Sequence, residues 1–79
     1  MYKRTMAMKR DVQHLDVCLQ EHTDGWEASF SYDGGSPEAK MEACGYHRPK
    51  EIALKEFAKE VAEALIRGYR VTEDLDLSF

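Results

Sequence analysis

Residues 13–22, QHLDVCLQEH, place Leu15, Val17 and Leu19 at every second position, with His14, Asp16, Cys18, Gln20 and His22 between them. A period of two puts the two sets on opposite faces of a strand. Trp26, Ala28, Phe30 and Tyr32 resume the alternation after Asp24-Gly25, the dipeptide that supplies positive φ to a two-residue type I′ turn. The pattern predicts a hairpin with Asp24-Gly25 as its turn. Thr23 then faces Trp26, Glu21 faces Ala28, Leu19 faces Phe30 and Val17 faces Tyr32, and the apolar residues of both strands share one face. A helix through 12–22 also fits Val12, Leu15 and Leu19, but it lacks a cap and explains fewer residues.

Gly34-Gly35 and Ser36-Pro37 mark a second turn or loop. Beyond it Ala39, Met41 and Ala43 alternate with Lys40, Glu42 and Cys44, predicting a third strand that ends near Gly45. The segment RPKEIALKEFAKEVAEALIRG predicts one long helix, with Pro49 at its first position and Gly68 as a left-handed C-terminal cap. At 100° per residue, Leu54, Phe57, Ala58, Val61 and Leu65 form an apolar stripe, while Glu56, Lys59, Glu60 and Glu63 face away. The final segment alternates Leu75, Leu77 and Phe79 with Asp74, Asp76 and Ser78. It reads as a fourth short strand or as an acidic-hydrophobic tail. The expected fold is α+β: a three-stranded antiparallel sheet, with that optional C-terminal strand, packed on one helix in the order β-β-β-α. Residues 1–10 are expected as a basic arm, 11–70 as a single domain and 71–79 as the C-terminal strand or tail.

Charge sharpens this picture. Lys3, Arg4, Lys9 and Arg10 lie in the first ten residues, whereas all fifteen acidic residues follow position 10, against seven Lys/Arg, giving that stretch a net −8. So acidic a body repels phosphate backbones, and the basic arm is expected to be solvated. With 43% hydrophobic residues the chain reads as globular, and no apolar run approaches the roughly 20 residues of a membrane span. The basic N-terminus has no apolar core behind it, so no secretory signal is expected. Two cysteines without a signal imply reduced thiols and a cytoplasmic location, extending to an infected bacterial host under the phage reading below.

His14, Cys18 and His22 stand at four-residue intervals, with Cys44 and His47 further on, so a zinc site has to be weighed. On a strand, residues four apart are separated by about 13 Å, while zinc ligands sit about 2.0–2.3 Å from the ion. These side chains share a face without sharing an ion, and neither metal nor cofactor is expected. Cys44 and His47 have the chemistry of a nucleophile and base, but no third orienting group stands beside them in the sequence. Phosphate-binding glycine patterns and HExxH are also missing, so no enzyme is expected. Arg48 and Lys50, at the opening of the helix, are candidate anion or nucleic-acid contacts.

The strand order, Gly45 ahead of the helix, and the helix start Lys50-x-x-Ala53 resemble the C-terminal two-thirds of a double-stranded RNA-binding domain. The matching positions are Gly45, Lys50, Ala53, Ala58 and Ala62, within residues 12–66. The resemblance implies a helix whose first lysines grip phosphates and whose alanines pack on the sheet. Glu51 and Leu54 stand where that family has further lysines, and ten residues leave no room for its N-terminal helix.

In size, charge and lack of cofactor chemistry the chain also resembles small proteins encoded by phages and mobile elements, anti-CRISPR proteins among them. Many of these bind a nucleic-acid-handling machine of the host, such as a CRISPR effector. Carboxylates complement Lys/Arg grooves and give fast, salt-sensitive association. The leading expectation is an acidic protein-binding module, an inhibitor or adaptor, with Asp16, Glu27, Asp33, Glu56, Glu60 and Glu63 as candidate contacts. Its expected partner is a protein with a basic, nucleic-acid-binding surface, and neither nucleic acid nor membrane is expected as a ligand. The alternatives are a reduced double-stranded-RNA-binding module using Arg48, Lys50 and the basic arm, and a structural homodimer sealed by the C-terminal apolar alternation.

Overall fold

The computed structural model describes the backbone of residues 1–33 and 40–78, and the side chains of residues 1–32 and 49–77. Strands β1 (Tyr2–Arg10), β2 (Gln13–His22), β3 (Gly25–Asp33) and β4 (Lys40–Arg48) are followed by helix α1 (Lys50–Ile66) and strand β5 (Arg70–Ser78). All five strands join one antiparallel sheet in the order β4-β3-β2-β1-β5, and α1 packs on one face. The α+β architecture and the β-β-β-α run are as the sequence predicts, and the C-terminal alternation is a strand.

The basic arm is the main departure. Residues 2–10 form β1, paired with β2 on one side and with β5 on the other. Its charges obscure a strand alternation in which Tyr2, Arg4, Met6, Met8 and Arg10 share the helix-facing side. Met6 and Met8 are buried there. Arg4 and Arg10 share that side because their stems lie along apolar surface while their guanidinium groups stack on rings. Arg4 lies 5.4 Å from the Phe57 ring centroid, and Arg10 lies 4.8 Å from that of Tyr69. The β1–β2 loop is Asp11-Val12, with Asp11 at φ 54°, a left-handed conformation that aspartate tolerates.

The β2–β3 hairpin forms with a different turn. His22 pairs with Gly25, so Thr23-Asp24 is the loop, and Leu19 faces Ala28 while Val17 faces Phe30. A type I′ turn at Asp24-Gly25 needs positive φ at Asp24, which that residue does not adopt, and Gly25 instead begins β3 in an extended conformation. The displacement is two residues, so every side chain keeps its predicted face and only its partner changes. Gly45 does not end the third predicted strand. It pairs with Ala28 where the β3–β4 register shifts, and β4 runs on to Arg48. The predicted glycine-rich loop at 34–37 and Ala39 lie outside the described residues.

Pro49 precedes α1, its carbonyl accepting from the amides of Ile52 and Ala53 at 3.1 Å. At the other end Gly68 (φ 93°) turns the chain. The Tyr69 amide donates to the Ala64 carbonyl at 3.0 Å, and the Gly68 amide donates to Leu65 at 3.1 Å. This is a Schellman cap, as the sequence predicts. Arg10 donates to the Arg67 carbonyl at 2.8 Å, tying the helix end to β1. The core is Met6, Met8, Leu15, Val17, Leu19 and Ala28 from the sheet, Ala53, Phe57 and Ala64 from α1, and Tyr69 just beyond it. Among the described residues no helix is long and apolar enough to cross a membrane.

Candidate functional site

A five-stranded sheet is about 24 Å wide at roughly 4.8 Å per strand, and one helix is only about 10 Å across. The helix makes its main contacts with β2, β3 and β4, leaving the helix-facing side of β1 and β5 incompletely covered. Two consequences follow for α1. The side resting on the sheet is Ala53, Phe57 and Ala64, all small except Phe57, which lets the helix sit close. The predicted stripe is therefore divided. Phe57 is buried and Val61 half-buried, but Leu54 and Leu65 are 43% and 51% exposed. Leu54, Ala58 and Leu65 form a row on the flank of the helix that looks over β1.

This flank is one wall of an open apolar groove of about 280 Å³. Arg4 and Met6 of β1 lie across from it, and Phe57, Val61 and Ala62 complete the α1 side. Beyond β1, Asp74 and Asp76 of β5 pair with Met6 and Arg4, which places them on the same face of the sheet. Arg4 donates to Asp74 in a two-pronged ion pair, Nη2–Oδ2 at 2.8 Å and Nε–Oδ1 at 3.1 Å. That hydrogen-bonded pairing lowers the Asp74 pKa and raises that of Arg4. The Tyr2 phenol is pushed up, first by burial and then by its hydrogen bond to Asp76. The groove thus has an apolar wall, a floor with its cation already paired, and a rim of carboxylates.

The predicted acidic contacts do not gather into one patch. Asp16 and Glu27 lie on the open face of the sheet, and the Glu27 carboxylate holds His22 Nε2 at 3.0 Å. Glu56 and Glu60 are half-buried on α1, on the side away from the groove, and Glu63 is exposed. Glu56 and Glu60 thus do not face away from the sheet as the stripe implied, because α1 is rotated to seat Ala53 and Ala64. The Asp33, Cys44, His47 and Arg48 side chains lie outside the described residues. Lys50 stands with its ammonium 5.3 Å from the Trp26 ring centroid. Of the alanines matched to the double-stranded RNA-binding pattern, Ala53 packs on the sheet, while Ala58 and Ala62 line the groove. His14, Cys18 and His22 are spread along the open face of β2, with Cys18 Sγ 3.5 Å from Thr5 Oγ1.

Sequence reasoning did not find the groove. The available signal was the width of the apolar arc on α1, which takes in Ala53 and Ala64 as well as Leu54, Ala58 and Leu65 and exceeds what one sheet contact uses. No family model matches the chain, and no curated protein or solved structure matches it.

Proposed function

We propose that the chain is a small acidic protein-binding module without catalytic chemistry, and that its contact site is the groove between α1 and β1–β5. The observation that supports this reading is the uncovered row Leu54, Ala58 and Leu65 facing a strand rimmed by Asp74 and Asp76. Uncovered apolar rows rimmed by polar groups are characteristic of interaction surfaces. The groove runs along a helix, over strands that a second helix would cover, so its fitting occupant is an amphipathic helix with an apolar row and Lys or Arg beside it. The inhibitor or adaptor reading, with a host nucleic-acid-handling protein as partner, accords with this chemistry because such proteins present Lys/Arg-rich surfaces. On this reading the contact carboxylates are Asp74 and Asp76, ahead of the scattered Asp16, Glu27 and Glu63.

The test is capture of a partner from the native host by wild type and by two paired variants. Binding lost in Leu54→Asp/Leu65→Asp but kept in Asp16→Lys/Glu27→Lys supports the groove. The reverse pattern contradicts it.

A further inference from the structure

The groove calls for a helix with an apolar row flanked by cations, and α1 is itself such a helix. Leu54, Ala58, Val61 and Leu65 follow a four-three-four spacing, the pattern by which two helices meet along one seam. Around the helix axis this row lies roughly at right angles to Ala53, Phe57 and Ala64, at about 100° per residue. The helix can therefore keep its own sheet beneath it and still present the row sideways. On the side remote from its own sheet it carries Lys55 and Lys59, both exposed.

We propose that this face is a homodimer interface in which α1 of a second copy fills the groove. The inference rests on the reading of the groove as a helix-docking site and sets a second copy in place of a host helix as its occupant, so the capture from the native host is then expected to recover this chain itself. The two helices lie side by side and parallel, related by a two-fold axis running along them, with each helix over the other copy's β1 and β5. Rotation about such an axis leaves heights along the helix unchanged. Leu54 therefore meets Leu54, and Ala58 meets Ala58, as an isologous contact requires. The height of Asp74 is fixed by Arg4, which bonds Asp74 and stacks on Phe57. Lys55 and Lys59 bracket Phe57 in the sequence, so in the dimer they lie over the second copy's carboxylate rim. The alternative seam, β5 against β5, brings the acidic run of Glu73, Asp74 and Asp76 in one copy beside that of the other, a like-charge arrangement that protects edge strands from pairing. The helix-mediated dimer is a layer of two helices between two sheets. Both open faces, with Asp16 and Glu27, remain on the outside.

Light scattering across a concentration series tests this on the full chain. The expected molar mass is twice the 9.1 kDa of one chain, falling to one chain in Leu54→Asp/Leu65→Asp with its circular dichroism retained. Lys55→Glu/Lys59→Glu is expected to weaken association by about tenfold or more, and Asp76→Lys in the same chain, which leaves the Arg4–Asp74 pair in place, recovers part of it. Should the leucine variant not fold, disulfide trapping still decides. With Cys18 and Cys44 replaced by serine, Ala58→Cys cross-links to itself under mild oxidation, whereas Glu63→Cys, on the opposite flank, does not. A monomer at every concentration overturns the proposal, as does a dimer indifferent to Leu54→Asp/Leu65→Asp. In the monomer case, anilinonaphthalene sulfonate separates the two readings. Dye bound by wild type and lost in the leucine variant leaves the groove free for another helix, and no dye binding removes the docking site as well.

Discussion

Arg4 joins three functions in one side chain: its stem lies beside Met6 on the sheet, its guanidinium faces the Phe57 ring, and its N–H groups hold Asp74. The Asp74 carboxyl titrates below its ordinary value because of that pairing, so folding binds Asp74 in its charged form. The resulting stabilisation is complete above the usual carboxylate range and is lost as pH falls through the lowered pKa. Melting temperatures of wild type and Asp74→Asn should therefore differ most near neutral pH. The gap should shrink as pH falls below the usual carboxylate range. A gap that is constant with pH would deny the pair this role. Phe57 is the largest side chain α1 buries, and Phe57→Ala should cost about 3–5 kcal/mol in chemical denaturation. Phe57 was legible as core from helical spacing alone. Arg4 was not, because a guanidinium on the core side of a strand reads as a solvated charge until its stacking partner, distant in sequence, is known.

Among the elements, the β2–β3 hairpin shows what alternation determines and what it leaves open. The faces of Leu15, Val17, Leu19, Trp26, Ala28, Phe30 and Tyr32 follow from a period of two. Their partners depend on which two residues make the turn, and slips by two leave the faces unchanged. The C-terminal cap of α1 was fully legible, since Gly68 supplies the positive φ that ends the helix and directs Tyr69 into the core. A Cβ at Gly68 would meet Arg10 Cδ only at 3.5 Å, so the cost of Gly68→Ala is one of backbone strain. That cost is expected to be about 1–2 kcal/mol, measured by equilibrium unfolding. Strand β1 was missed for a reason of scale. Four charges in ten residues suggest an arm, and the alternation of Met6 and Met8 among them gains meaning only once β2 and β5 stand on either side.

At the level of the whole molecule, the described residues put one helix on five strands, an incomplete layer. The chain covers β2, β3 and β4 with α1, and leaves Leu54 and Leu65 looking over β1 and the carboxylates of β5. Neither the sheet's width nor the rotation of α1 can be read from local periodicity, since both depend on β1 and β5 joining the same sheet from opposite ends of the sequence. The sequence does carry the acidity that fits a basic partner, but the fold decides which carboxylates lie beside apolar surface. Association through the groove combines apolar burial with lysine–carboxylate contacts, so it should weaken on raising salt from 0.05 to about 0.5 M without being abolished. The most direct measurement is the solvent exposure of individual methyl groups, read by paramagnetic relaxation from a soluble gadolinium agent. With the groove covered, the Leu54 and Leu65 methyls are protected nearly as well as those of buried Val17, while Val12, in the β1–β2 loop, relaxes fast. Leu54 and Leu65 methyls relaxing as fast as those of Val12 would contradict the account.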